Sequence, residues 1–153
     1  LINEVFRRRL DELTARRIEA LKAARQQRPL TLEGILHAFV EPALALASDR
    51  TGGATFVRVL ARAFAEHDQS LRKFLSDNYG HVMREFSKAI AGCLPDLGKE
   101  ELHWRLDFVA GALTYAMADF GLIRRPSARA EKIHCQNAAA ALIRFTAAGL
   151  RAT

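Results

Sequence analysis

The stretch that decides the fold is KEELHWRLDFVAGALTYAMADFGL, residues 99–122. Leu102, Leu106, Val109, Leu113, Met117 and Phe120 recur at three- and four-residue intervals, the period of one face of an α-helix. Trp104, Phe108, Gly111, Tyr115 and Ala118 draw a second apolar line along the same helix. A helix that is apolar nearly all round needs cover on nearly all sides. Two arrangements supply it: a central place in the monomer core, or a partner subunit on the outer face.

Downstream, a helix is expected from about Ala128 to Leu150. It carries the small-residue run Ala138 to Ala141, followed by Leu142, Phe145 and Ala148. Small side chains let helices approach closely, which favours a dimer seam built from the last two helices. The residues assigned to that seam are Leu106, Leu113, Met117, Phe120, Ala138, Ala141, Leu142 and Phe145.

Upstream, the same period recurs. Ile2, Phe6, Leu10, Leu13, Leu21 and Ala24 mark one face of a first helix, with Arg7, Arg8, Arg16 and Arg17 read as largely off it. Pro29 ends that helix. Thr31 caps a second helix through Leu46, where Pro42 predicts a kink or restart. Gly52-Gly53 breaks the chain before a third helix, Thr55 to Glu66. Asp68 caps a fourth that reaches Leu94 and stops at Pro95, and Arg124 to Ser127 form a loop. No stretch alternates with period two for long enough to make a strand. The expected fold is an all-α six-helix bundle, one domain over residues 1–153.

Half of the 153 residues are hydrophobic and about a quarter are charged, which excludes a disordered chain. No apolar run reaches the ~18–20 residues a membrane-spanning helix needs. No membrane partner and no secretory signal are expected. Cys93 and Cys135 make neither a disulfide framework nor a paired zinc motif, so a reducing cytoplasm is the expected compartment.

The net charge of +6 is uneven: +4 over residues 1–28, −3 over 29–120 and +5 over 121–153. Nucleic acid is a natural partner for a basic chain, yet no stacking aromatics or glycine loops sit among these basic residues. Solvated basic faces are the commoner outcome.

Catalytic chemistry finds little support, because no context marks Cys93, Cys135 or any hydroxyl as an activated nucleophile. Asp107 and Asp119 read as solvated or paired carboxylates rather than acids at work. Glu100-Glu101-Leu102-His103 and Glu131-Lys132-Ile133-His134 both have the Glu-x-x-His spacing of di-iron bundles. Both lie in first helical turns, where the exposed N–H groups favour glutamates anyway. His37 and Glu41 read as a surface pair. No metal, no cofactor and no enzymatic activity are expected.

The opening Leu-Ile-Asn-Glu-Val-Phe-Arg-Arg-Arg-Leu resembles the long fourth helix of the tetracycline-repressor (TetR) family of bacterial transcription regulators. The order and lengths of the six expected helices resemble the rest of that family's C-terminal half. Stretches such as Phe56-Val57-Arg58-Val59-Leu60 and Phe108-Val109-Ala110-Gly111-Ala112-Leu113 are similar to regulators that sense fatty acids or other apolar effectors. The resemblance implies a cytoplasmic bacterial homodimer, and a helix-turn-helix domain preceding Leu1 that alone reads operator DNA. It implies that an effector changes the spacing of the two reading heads, with the first helix as the connecting strut.

An apolar cleft with a few polar handles is the usual form of a small-molecule site. The second to fifth helices carry the expected apolar lining: Leu36, Phe39, Phe56, Leu60, Phe64, Phe74, Met83, Phe86, Trp104 and Phe108. Asn78, Tyr79, His81 and Tyr115 are the expected handles. Arg58 and Arg62 offer charge to a carboxylate, although Arg62 and Glu66 are spaced to pair with each other. Gly80, mid-helix, suggests a packing or access requirement. The leading expectation is an effector-sensing and dimerisation domain for a small apolar ligand such as a fatty acyl compound. A constitutive helical dimerisation module without a ligand is the competing one.

Overall fold

The computed structural model describes residues 4–49, 51–67, 69–119, 123 and 131–153, with the side chains of 64 and 131–134 left aside. Six helices follow one another: α1 Glu4–Gln26, α2 Leu32–Ala47, α3 Gly53–Glu66, α4 Gln69–Cys93, α5 Lys99–Ala118 and α6 Glu131–Arg151. There is no strand among the described residues.

The core is built around α2. Leu32, Ile35, Leu36, Val40 and Ala43 are almost wholly removed from water, and Ala38, Phe39, Leu44 and Leu46 are buried with them. These residues cover most of the helix circumference, leaving the stripe of His37 and Glu41 exposed, and α2 packs against all five other helices. Thr31 starts it, its hydroxyl accepting from the Gly34 N–H at 3.0 Å. Pro42 interrupts neither the helix nor its burial; a restart there is not what the chain does. Close packing on all sides outweighs the loss of one ladder bond to the carbonyl four residues back.

α1 lays Phe6, Leu10, Leu13 and Leu21 against this core. α5 contributes Leu102, Val109, Leu113 and Met117, and α6 contributes Ala139, Leu142, Ile143, Ala147 and Leu150. Polar ties fix the helix ends. Arg105 reaches across from α5 to the carbonyls of Gly149, Leu150 and Ala152, satisfying acceptors that the end of α6 leaves open. Arg151 pairs with Glu33 at the start of α2. Arg9 of α1 reaches Asp49 at 2.6 Å and also donates to the Thr51 carbonyl. With the Thr51 hydroxyl and N–H, that contact holds Asp49 down to about 2.

The α2–α3 corner depends on two glycines for different reasons. Gly52 has φ +97°, a left-handed conformation that glycine adopts without strain. Gly53 sits where a Cβ would lie 2.6 Å from the Leu46 carbonyl oxygen and 2.7 Å from that of Ala47. Gly80 is different: a Cβ there would crowd the flexible end of Arg84, at 3.0 Å, and meet the Ser76 Oγ at an ordinary 3.8 Å. No packing or access reason for Gly80 is present.

The placement of α5 reverses one expectation. Leu113 and Met117 were assigned to the dimer seam, but they lie in the core of this chain. Trp104, Phe108 and Tyr115 were assigned to an interior pocket, but they are exposed on the opposite face of α5. Both apolar lines were legible; which of them faces inward is set by how α5 docks on α2 and α6. α5 and α6 each end or begin within the expected spans, and Phe120, Asp68 and the 124–127 loop lie outside the described residues.

Two substitutions test this account. Gly53→Ala should destabilise the chain by about 1–3 kcal/mol, because backbone carbonyls cannot step aside. Gly80→Ala should stabilise it by about 1 kcal/mol, the helix-propensity difference alone. Urea denaturation followed by circular dichroism measures both.

Candidate functional site

Three places collect the residues that sequence reading singled out. The first lies along α3 and α4. α4 packs on α1 and α2, and α3 packs on α1, α2 and α5, but α3 and α4 do not pack closely on each other. Leu60 of α3 and Phe74 and Tyr79 of α4 remain half-buried beside this opening.

Polar contacts tie α4 to α1 along this side. The Tyr79 hydroxyl donates to Asp11 at 2.7 Å, and Arg25 reaches Glu85 at 3.4 Å. The Arg7 guanidinium sits 5.0 Å from the centre of the Phe74 ring, which in turn meets Tyr79 edge-on. Burial and the Asp11 hydrogen bond together push the Tyr79 phenol up to about 12.

Deeper in, the other assigned residues are core. Leu36 is fully buried, Phe56 stacks on Phe6 with centroids 5.3 Å apart, and Phe39 meets Phe86 edge-on at 5.2 Å. The remaining handles turn outward. Asn78 is exposed and donates to the Phe74 carbonyl of its own helix; His81 and Met83 are exposed as well. Phe64 has no described side chain. Arg62 pairs with Glu66 at 2.7 Å, as its spacing suggested, and Arg58 is exposed.

Sequence reading missed Arg17. It was placed off the apolar stripe of α1, yet it falls between Leu13 and Leu21 in the series 6, 10, 13, 17, 21. The structure sets it against the core. Its Nε–H donates to the Phe39 carbonyl at 2.9 Å, and its guanidinium carbon lies 3.9 Å from the Phe39 ring centre. Desolvation pushes its pKa down to about 9, which leaves it charged at neutral pH. The signal that could have found it is the heptad-like spacing itself.

The second place is a cavity of about 550 Å³ between α2 and α6. Leu44, Ala139 and Ile143 give it an apolar floor, and His37, Glu41 and Gln136 stand at its edge. Ser48 and Cys135 close one end: their Oγ and Sγ atoms lie 2.8 Å apart, and both groups donate to the Leu44 carbonyl. The pair His37 and Glu41 was read as plain surface; the helix beside it makes it the rim of a hollow.

The third place is the outer face of α5 and α6. Trp104 is 57% exposed, Phe108 64% and Phe145 72%. Tyr115, Ala141 and Ala148 are exposed too. Ala138 and Leu106 are half-buried, and Leu142 is buried. Of the two Glu-x-x-His motifs, Glu100 and His103 are exposed on the first turn of α5, and the side chains of 131–134 are not described. No cluster able to hold a metal ion occurs among the described residues. No described helix is long and apolar enough to cross a membrane.

The Tyr79–Asp11 tie gives a measurable consequence. Tyr79→Phe should cost about 0.5–1 kcal/mol, one net hydrogen bond. The folded phenol titrates above its ordinary value of 10.0, so the stability it brings is complete below pH 10 and fades as pH rises from 10 toward 12. Urea titrations of both proteins at pH 8 and pH 11 should show the difference shrinking at the higher pH.

A search of curated proteins returns no significant match to the chain. The family model described as "Tetracyclin repressor-like, C-terminal domain" matches residues 37–149, about three quarters of the chain. That match covers α3, α4 and α5 whole, most of α6, and most of α2, the helix around which the core is built. The chain therefore belongs to the tetracycline-repressor-like C-terminal domain family.

Proposed function

We propose that the chain is the effector-sensing and dimerisation domain of a bacterial repressor, working in the cytoplasm. One observation carries this reading: among the described residues, apolar side chains lie on two surfaces that no other described element closes. One is the opening between α3 and α4, beside Leu60, Phe74 and Tyr79. The other is the strip formed by Trp104, Phe108 and Phe145.

In this reading the α5–α6 strip is a two-fold seam between identical subunits, burying ~1,200–2,000 Å² or more in total. The opening admits a small apolar effector, a fatty acid or acyl compound. Its walls are Leu60, Phe74 and Tyr79, with the core aromatics Phe39, Phe56 and Phe86 and Leu36 behind them. The effector moves α4, and through Asp11 and Arg25 it moves α1, which leads to a preceding helix-turn-helix domain. Operator DNA is bound by that domain and not by residues 1–153. No enzymatic step belongs to this reading.

A specific observation favours the competing reading, a constitutive dimerisation module. Leu36, Phe39 and Phe86 are buried core, with Phe39 and Phe86 filling space against each other. Titration separates the two. An apolar ligand at ~100 times its dissociation constant should add about 2.7 kcal/mol of stability. If decanoate, decanol and aromatic hydrophobes all leave the melting temperature unmoved, the module without a ligand is correct.

The seam has its own test. Phe108→Glu and Phe145→Glu should give folded monomers by sedimentation velocity at micromolar concentration, with helical circular dichroism retained. Leu142→Glu should instead lower the melting temperature, because it charges the core. A wild-type chain that sediments as a monomer would overturn the dimer.

A further inference from the structure

An unpaired cation against a hydrocarbon core is costly, and natural cores avoid it unless something repays the desolvation. Arg17 is such a cation. No carboxylate pairs with it among the described residues, and the neighbouring acids are engaged elsewhere. Asp11 accepts from Tyr79, Glu12 holds Arg16 and Arg9, and Glu85 lies against Arg25 and Lys88. Glu41 is two residues from Phe39 but on the opposite side of α2, at the rim of the α2–α6 cavity.

The guanidinium is also held in place. Stacking on Phe39 fixes its plane, and the Nε–H bond to the Phe39 carbonyl fixes its rotation. Nη1 and Nη2 have no acceptor among the described residues, and neither is sealed from solvent. The outer edge of a guanidinium, with its N–H groups in a fixed fork, matches the two oxygens of a carboxylate. The surroundings are apolar: Phe86 is buried against Phe39, and farther along α1 come the half-buried Tyr79 and Phe74 of α4. From Arg17 to Arg7, which covers Phe74, α1 rises ~15 Å.

We propose that Arg17 is the anion-recognising group of this domain, taking the carboxylate of an amphiphilic acid whose apolar body lies along α4 toward Phe74. The inference rests on the effector-sensing reading and deepens it: the ligand is a free acid, not a neutral apolar compound or an ester. A bound carboxylate supplies the countercharge that the fold withholds. Arg17 thus accounts for a charge at a stripe position where leucine would serve packing better.

The test uses the chain as it stands with three probes: decanoate, decanol and methyl decanoate, titrated by calorimetry. The wild type should bind decanoate at least about tenfold more tightly than either neutral probe. Arg17→Gln should remove that preference while leaving decanol binding unchanged, and Arg17→Lys should restore part of it. Arg17→Met, which keeps the length and removes the charge, should fold with an equal or higher melting temperature and lose the preference too. Arg62→Gln, on the surface, is the control. If decanoate binds Arg17→Gln and Arg17→Met as it binds the wild type, the Arg17 assignment falls and the sensor reading stands. If neutral probes bind the wild type as tightly as decanoate, acid selectivity falls. If none of the probes binds the wild type, the effector reading itself falls.

Discussion

Everything in this domain is arranged around the desolvation of α2. Its apolar residues cover all of the helix but the stripe that carries His37 and Glu41, and the five other helices pack around it. Its backbone groups are satisfied within the helix or by its caps, which is why Thr31 and Ser48 stand at its two ends. Once α2 is enclosed, each neighbour has one inner face and one outer face. The chemistry of the outer faces then decides what the domain can do.

The enclosure is uneven. α1, α5 and α6 are clamped to α2 both by apolar packing and by charged groups at the helix ends: Arg9 to Asp49, Arg151 to Glu33, Arg105 to the closing carbonyls of α6. α3 and α4 lack a shared contact surface, and α4 is held to α1 by the exposed pairs Tyr79–Asp11 and Arg25–Glu85. Exposed pairs of this kind contribute little, on the order of 0–1 kcal/mol each. The domain is thus a firm four-helix platform with two less strongly tethered helices. Local openings of low cost are expected where buried apolar contacts are fewest. In the proposed function this is the side that an effector enters, and α1 is the element that both senses α4 and leads toward DNA.

Arg17 and the outer strip of α5 illustrate two ways in which a residue can be out of place. Arg17 is a charge in an apolar stripe; Trp104, Phe108 and Phe145 are large apolar groups in water. Each is unfavourable for the isolated chain. For the second, the proposed seam would supply a partner; for the first, the described residues supply a stacking ring and one carbonyl but no countercharge.

The helices were legible because their signals are local: the 3.6-residue period, Thr31 as a cap, Pro29 and Pro95 as stops, Gly52-Gly53 as a break. The Arg62–Glu66 pair was legible for the same reason, being one turn apart. What the sequence by itself determined is therefore the all-α class, the number of helices and the presence of two apolar lines on α5. It did not determine which line faces inward. That choice depends on the rotation of α5 about its axis, set by packing against α2 and α6 and by Arg105 reaching the end of α6. Nor could spacing along one chain show that Arg17 meets Phe39, or that His37 and Glu41 edge a cavity with Gln136. Those contacts join residues on different helices, and only tertiary packing brings different helices together.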